Sequence, residues 1–148
     1  MQSGISQDMN DKNPPKIDGW TPLHSAAQEG HLQICQFIME HVDNKSPRCN
    51  SGNTNTPFHY AAKNGHLGVC KLFLKNLTDK NPISNNGSTA LHLAARNGHL
   101  VICKVLITNM ENKNPPNNAG KTPLDLAMDK KQWKVIPYLI TANKLDCS

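Results

Sequence analysis

Apolar residues recur along this chain at spacings of three and four, in blocks set between polar stretches. One block holds Leu32, Ile34, Cys35, Ile38 and Met39, a second Leu67, Val69, Cys70, Phe73 and Leu74, and a third Leu100, Ile102, Cys103, Leu106 and Ile107. Such spacing places each set on one face and predicts an amphipathic helix. A shorter block precedes each of them, for example Thr89-Ala90-Leu91-His92-Leu93-Ala94-Ala95-Arg96-Asn97-Gly98. Its threonine suits a helix N-cap, its alanines admit a neighbouring helix, and its glycine suits a left-handed turn at the end. Where proline follows the threonine it takes the first helical position, whose N–H is unpaired in any case.

The blocks repeat in register. Thr21-Pro22-Leu23-His24, Thr56-Pro57-Phe58-His59, Thr89-Ala90-Leu91-His92 and Thr122-Pro123-Leu124-Asp125 have threonines 35, 33 and 33 positions apart. Gly30-His31-Leu32, Gly65-His66-Leu67 and Gly98-His99-Leu100 keep step with them. Between the helix pairs lie turn-forming runs such as Asp79 to Gly87 and Asn112 to Gly120, which read as projecting turns. The run from Lys45 to Thr56 is two residues longer than its counterparts, which accounts for the interval of 35. A chain of this kind buries its apolar faces by stacking units side by side.

Helix, turn, helix and projecting β-turn, carrying Thr-Pro-Leu-His-x-Ala-Ala and Gly-His-Leu, resemble the ankyrin repeat. The resemblance covers about residues 16–141 and implies an all-α solenoid with repeats at 16–48, 49–83, 84–116 and 117–141. Residues 1–15 would form a partial repeat or cap and residues 142–148 a tail. Ile5 to Pro15 aligns with Phe73 to Ile83, so the chain reads either as the end of a longer array or as one with an abbreviated N-terminal cap. The resemblance also implies that His24, His59 and His92 hydrogen-bond within the turn network, a pattern from which Asp125 departs. In the fourth unit Lys131-Gln132-Trp133 replaces Gly-His-Leu, with Lys130 and Lys134 beside it, which suggests a polar terminal cap. Trp133 stands where Leu32, Leu67 and Leu100 stand and is expected in the core.

Composition narrows the class further. Hydrophobic content of 37% and charged content of 18% suit a globular chain. Cys35, Cys70 and Cys103 are equivalent positions of stacked helices roughly 8–10 Å apart, too far for the disulfide reach of about 7 Å. With Cys49 and Cys147 they are read as reduced thiols. No apolar run is long enough to span a membrane, and a cytoplasmic or nuclear monomer is expected. His31 and Cys35, His66 and Cys70, and His99 and Cys103 are four apart and could share a helix face as metal ligands. They read better as packing residues, because Ile136 fills the cysteine slot in the fourth unit. No phosphate-binding glycine loop, nucleophile elbow or paired metal motif occurs. Neither a cofactor nor enzymatic activity is expected; a metal-dependent enzyme built on the His/Cys pairs is the minor alternative.

Function is therefore sought in binding. Family resemblance nominates the turn tips and exposed side of the first helices: Ile17, Trp20, Asn53, Asn55, Asn86, Ser88, Ala119 and Lys121 at the turns, and Gln28, Glu29, Tyr60, Lys63, Asn64, Arg96, Asn97 and Asp129 on the helices. Trp20 is singled out because Asn55, Ser88 and Lys121 occupy its equivalents, so no repeated packing rule requires an aromatic there. It reads either as a binding hot spot or as a residue that packs over the N-terminal boundary or shields a neighbouring turn. Residues 1–44 carry two basic and six acidic groups, a net of −4, whereas residues 45–148 carry fourteen and five, a net of +9. The partner expected is a protein, with an acidic segment facing Lys63, Arg96 and Lys121. A pI near 9.0 invites nucleic acid, but scattered basic groups and 5% aromatic content offer no base-stacking platform. An adaptor, scaffold or inhibitor, or part of a larger receptor, channel or scaffold, fits this reading.

Overall fold

A computed structural model describes residues 12–16, 18–50 and 55–146. Four first helices, α1 (Pro22–Glu29), α3 (Pro57–Lys63), α5 (Ala90–Arg96) and α7 (Pro123–Asp129), alternate with four second helices, α2 (Leu32–His41), α4 (Leu67–Asn76), α6 (Leu100–Ile107) and α8 (Val135–Asp146). Each first helix opens on an extended threonine whose Oγ1 accepts from the N–H three residues on, at His24, His59, His92 and Asp125. That bond satisfies one of the amide groups a helix start leaves unpaired. After α1, α3 and α5 the chain reverses through Gly30, Gly65 and Gly98, all at positive φ. After α7 it reverses through Lys131 at φ 57°, the sole positive-φ residue other than glycine among those described.

Helices of seven or eight residues are too short to persist alone, so packing holds them. The core lies between the two helix layers, with Leu23, Phe58, Leu91, Leu106, Phe73 and Leu139 almost wholly excluded from water. Phe58 and Phe73 stack at 5.5 Å between ring centroids. Paired alanines at 26 and 27, 61 and 62, and 94 and 95 are buried along the first helices. They bring those helices closer together than the second helices come to one another. The stack therefore bends toward the first-helix layer, which lines its concave side.

Turns close the units in a repeated way. Lys16 N–H donates to Trp20, Ser84 N–H to Ser88, and Asn117 N–H to Lys121, each pair four residues apart. In the second repeat the matching bond runs from Cys49 to Asn55, six residues apart, which places the two extra residues inside that turn. Neighbouring turns are joined where Asn50 N–H donates to Asp18 and Asn118 N–H to Asn86, at 2.6 and 2.8 Å. The described residues contain no strand.

Four expectations change. Trp133 is 70% exposed rather than core. Its counterpart Leu32 points at the following repeat, reaching within 3.4 Å of where a Cβ on Gly68 would lie, and no described repeat follows the fourth. Leu32 and Ile34, expected on the buried face of α2, are also exposed. The fourth repeat is not a wholly polar cap, because Met128, Trp133 and Ile140 are exposed beside its lysines. Lastly, α8 continues past residue 141 with Ala142 buried, so the expected tail begins within a helix.

Candidate interaction surface

The surface is held by a lacing of side chains to backbone. His24, His59 and His92 are buried, and each ring meets the next turn: Nε2 lies 3.1 Å from the Asn55 carbonyl oxygen, 3.1 Å from that of Ser88, and 3.0 Å from that of Lys121. A carbonyl can only accept, so Nε2 carries the proton. Nδ1 then accepts the N–H of the capping threonine, at 3.1, 3.1 and 2.9 Å. Both ring nitrogens are thus committed to the neutral form. Burial lowers the pKa of all three, that of His59 to about 4. Asp125 completes the same capping box through Thr122 N–H at 3.0 Å, but its short carboxylate makes no bond to a further turn among the described residues.

A second lacing runs backward. The Nε2 atoms of His66 and His99 donate to the carbonyls of Gln28 and Lys63, both at 2.9 Å. Gln132 does the same to Arg96 at 2.8 Å. The Gly-His-Leu histidine is thus an inter-repeat tie that glutamine can replace. The cysteines four residues on point into the core instead, where burial lifts Cys35 to a pKa of about 11 and Cys70 and Cys103 to about 12. Cys35, Cys49, Cys70 and Cys103 are free thiols, and Cys147 lies outside the described residues. No group of three or more potential metal ligands occurs among the described residues.

Gln28, Lys63 and Arg96, whose carbonyls these ties take, stand with Asp129 at equivalent points in the last turns of the first helices. Glu29, Lys63, Asn64 and Asn97 are exposed, and Gln28 and Arg96 half-buried. Asn64 also donates to the Gln28 carbonyl at 3.1 Å, and Asn97 to that of Leu93 at 2.8 Å. Asn86 and Ala119 are exposed at turn tips. Lys121 and Asp129 pair at 3.1 Å with both side chains about half exposed, so part of the expected basic stripe is already neutralised. Ser88 departs from the exposed stripe: it is buried, with its carbonyl taken by His59. Asn55 is half-buried and its carbonyl is likewise taken. Ile17 and Asn53 lie outside the described residues.

Trp20 packs over the first turn histidine. Its ring stacks on His24 at 4.9 Å and meets Tyr60 edge-on at 4.9 Å, while Nε1 donates to Ser25 Oγ at 2.7 Å. It shields the first turn histidine yet remains half-exposed. The Tyr60 hydroxyl approaches Cys49 Sγ at 3.7 Å, and burial, then this thiol, raises its pKa to about 12. Sequence reasoning passed over Leu93 and Leu126, which hold the Tyr60 position in the following repeats and are half-buried beside the row at Lys63 and Arg96. They read as ordinary core leucines; the available signal was that each lies three residues before that row.

The sequence matches the family described as ankyrin repeats (3 copies) over residues 2–84 and 58–148. The chain belongs to the ankyrin-repeat family, and its fold class is that of a protein-interaction module. A search of curated proteins finds no match to the chain. No described helix is long and apolar enough to cross a membrane.

Proposed function

We propose that this chain works by binding rather than catalysis, receiving an acidic protein segment along its concave side as an adaptor, scaffold or inhibitor. The observation that supports this most is the placement of Lys63 and Arg96. They stand one repeat apart in last helical turns whose carbonyls are tied by His99 and Gln132, and neither forms an ion pair among the described residues. Tyr60, Leu93 and Leu126 flank them with a half-buried apolar row. A segment alternating acidic and apolar side chains complements both rows. Because the ties are formed before binding, little ordering accompanies association.

Crosslinking in the native cell followed by mass spectrometry tests this. Crosslinks from Lys63 and Lys121 to a partner's acidic segment are expected. Lys63→Glu with Arg96→Glu should remove that partner while leaving helicity intact, and should flatten the salt dependence of its binding. Unchanged capture and an unchanged salt slope would refute the reading.

A further inference from the structure

The two central first helices present the same three kinds of group on one face. Tyr60, Lys63 and Asn64 stand at spacings of three and four, as do Leu93, Arg96 and Asn97, and residues so spaced line one side of a helix. Tyr60, Leu93 and Arg96 are half-buried, and Lys63, Asn64 and Asn97 are exposed. Lys63 and Arg96 form no ion pair among the described residues. The carboxamides have a defined orientation. Asn64 Nδ2 donates to the Gln28 carbonyl at 3.1 Å and Asn97 Nδ2 to that of Leu93 at 2.8 Å. A carbonyl can only accept, so each nitrogen faces it and each Oδ1 is turned away. Neither Oδ1 accepts from a described residue. Each of these repeats thus offers an apolar surface, a cation and an open hydrogen-bond acceptor.

The set is two repeats wide. The cation's position holds Gln28 in the first repeat and Asp129 in the fourth, and the carboxamide's position holds Glu29 and Lys130. Asp129 is paired with Lys121 at 3.1 Å, so in this register only Lys63 and Arg96 are free to meet carboxylates. Buried alanines let successive first helices bring Cα atoms within 8 Å of one another, and axes packed this way lie roughly 8–10 Å apart. A segment running along the stack must present matching groups at that interval. Same-side residues recur about every 6.7 Å in a β-strand, and about every 10.5 Å, over seven residues, in an α-helix. In polyproline II they recur at every third residue, about 9.3 Å apart. The last interval matches. The open acceptors favour it again, because a polyproline-II segment has no internal hydrogen bonds and its N–H groups are free, whereas those inside an α-helix are engaged by its own carbonyls.

We infer, resting on the concave-side reading above, that the acidic segment lies along the stack in the polyproline-II conformation and repeats a triplet of acid, apolar residue and outward residue, one triplet per repeat. Carboxylates three residues apart meet Lys63 and Arg96. The apolar residues lie on Tyr60 and Leu93, and one backbone N–H per triplet donates to Oδ1 of Asn64 or Asn97. The outward residue touches neither helix and tolerates proline, which presets the conformation and lowers the ordering cost of binding.

The probes are three synthetic peptides of matched charge, each carrying two glutamates, titrated against the full chain by fluorescence anisotropy. The first has two consecutive glutamate-leucine-proline triplets. The second places its glutamates two apart, and the third seven apart in an alanine-based helix. The first should bind about tenfold more tightly than either of the others, because a mismatched interval forfeits one of two charge-assisted contacts. Asn97→Leu should weaken the first about fivefold. N-methylation of the peptide's second triplet should weaken it similarly, and the two changes together should be less than additive. Asn97 suits this test because its carboxamide bonds only to its own helix; circular dichroism and thermal unfolding report that the variant folds. Lys63→Glu with Arg96→Glu should abolish binding. Equal or tighter binding of the second or third peptide, still abolished by that double variant, would overturn the triplet and leave the concave-side reading standing. Unchanged binding to Asn97→Leu, or additive effects, would do the same. Binding of none of the three peptides would overturn both.

Discussion

His59 Nε2 donates to the backbone carbonyl of Ser88, 3.1 Å away and 29 residues further along the chain. One buried ring thereby fastens the first helix of one repeat to the turn of the next, while its other nitrogen caps its own helix start. Several expected behaviours of the protein derive from this geometry.

Acid should unfasten the stack. Burial holds the His59 pKa at about 4, below its ordinary 6.5, and lowers those of His24 and His92. The unfolded chain therefore binds these protons more readily than the folded one. Their neutral-state stability is complete above about pH 6.5 and is lost as pH falls through that value toward the folded pKa. His59 alone should cost on the order of 3 kcal/mol by pH 4. Urea midpoints measured from pH 7.5 to pH 4 should fall across this window, and His59→Gln should flatten the fall.

Glycines with the same backbone angle should differ in cost. Gly65 and Gly120 sit at φ 82° and 77°, but a Cβ on Gly65 would strike the His99 ring whereas one on Gly120 meets nothing within 4 Å. Gly120→Ala should lose about 1 kcal/mol from backbone strain alone. Gly65→Ala should lose roughly 2–4 kcal/mol, because the tie to Lys63 is displaced as well. Thermal unfolding of the two variants distinguishes these outcomes.

The two tryptophans should differ in how much their replacement costs. Trp133→Leu should change stability by no more than about 0.5 kcal/mol, as expected for an exposed side chain. Trp20→Ala removes the ring stacked on His24 and the bond to Ser25, and should cost about 1–2 kcal/mol with helicity retained. Denaturant titration followed by circular dichroism checks both.

Thiol labelling should report unfolding. Cys35, Cys70 and Cys103 are wholly buried, with pKa values pushed up to about 11, 12 and 12. Since the thiolate is the reacting form, a disulfide reagent at pH 8 should modify these three only as denaturant opens the stack.

The recurrence of the helix pairs, the threonine caps and the turn glycines were legible in the residues alone. They depend on local periodicity and backbone preference, which four registered copies display in parallel. Tertiary structure alone decided which equivalent positions are equivalent in environment. Ile34 and Val69 occupy the same slot, yet one is exposed and the other buried; Trp133 inherits a leucine's place with no described repeat after it. It also showed that Gln132 replaces a histidine tie and that Leu93 and Leu126 are half-buried rather than core. Burial in a stack is supplied by the adjoining unit, so a repeat's own sequence states what it can bury and the neighbour determines whether it does.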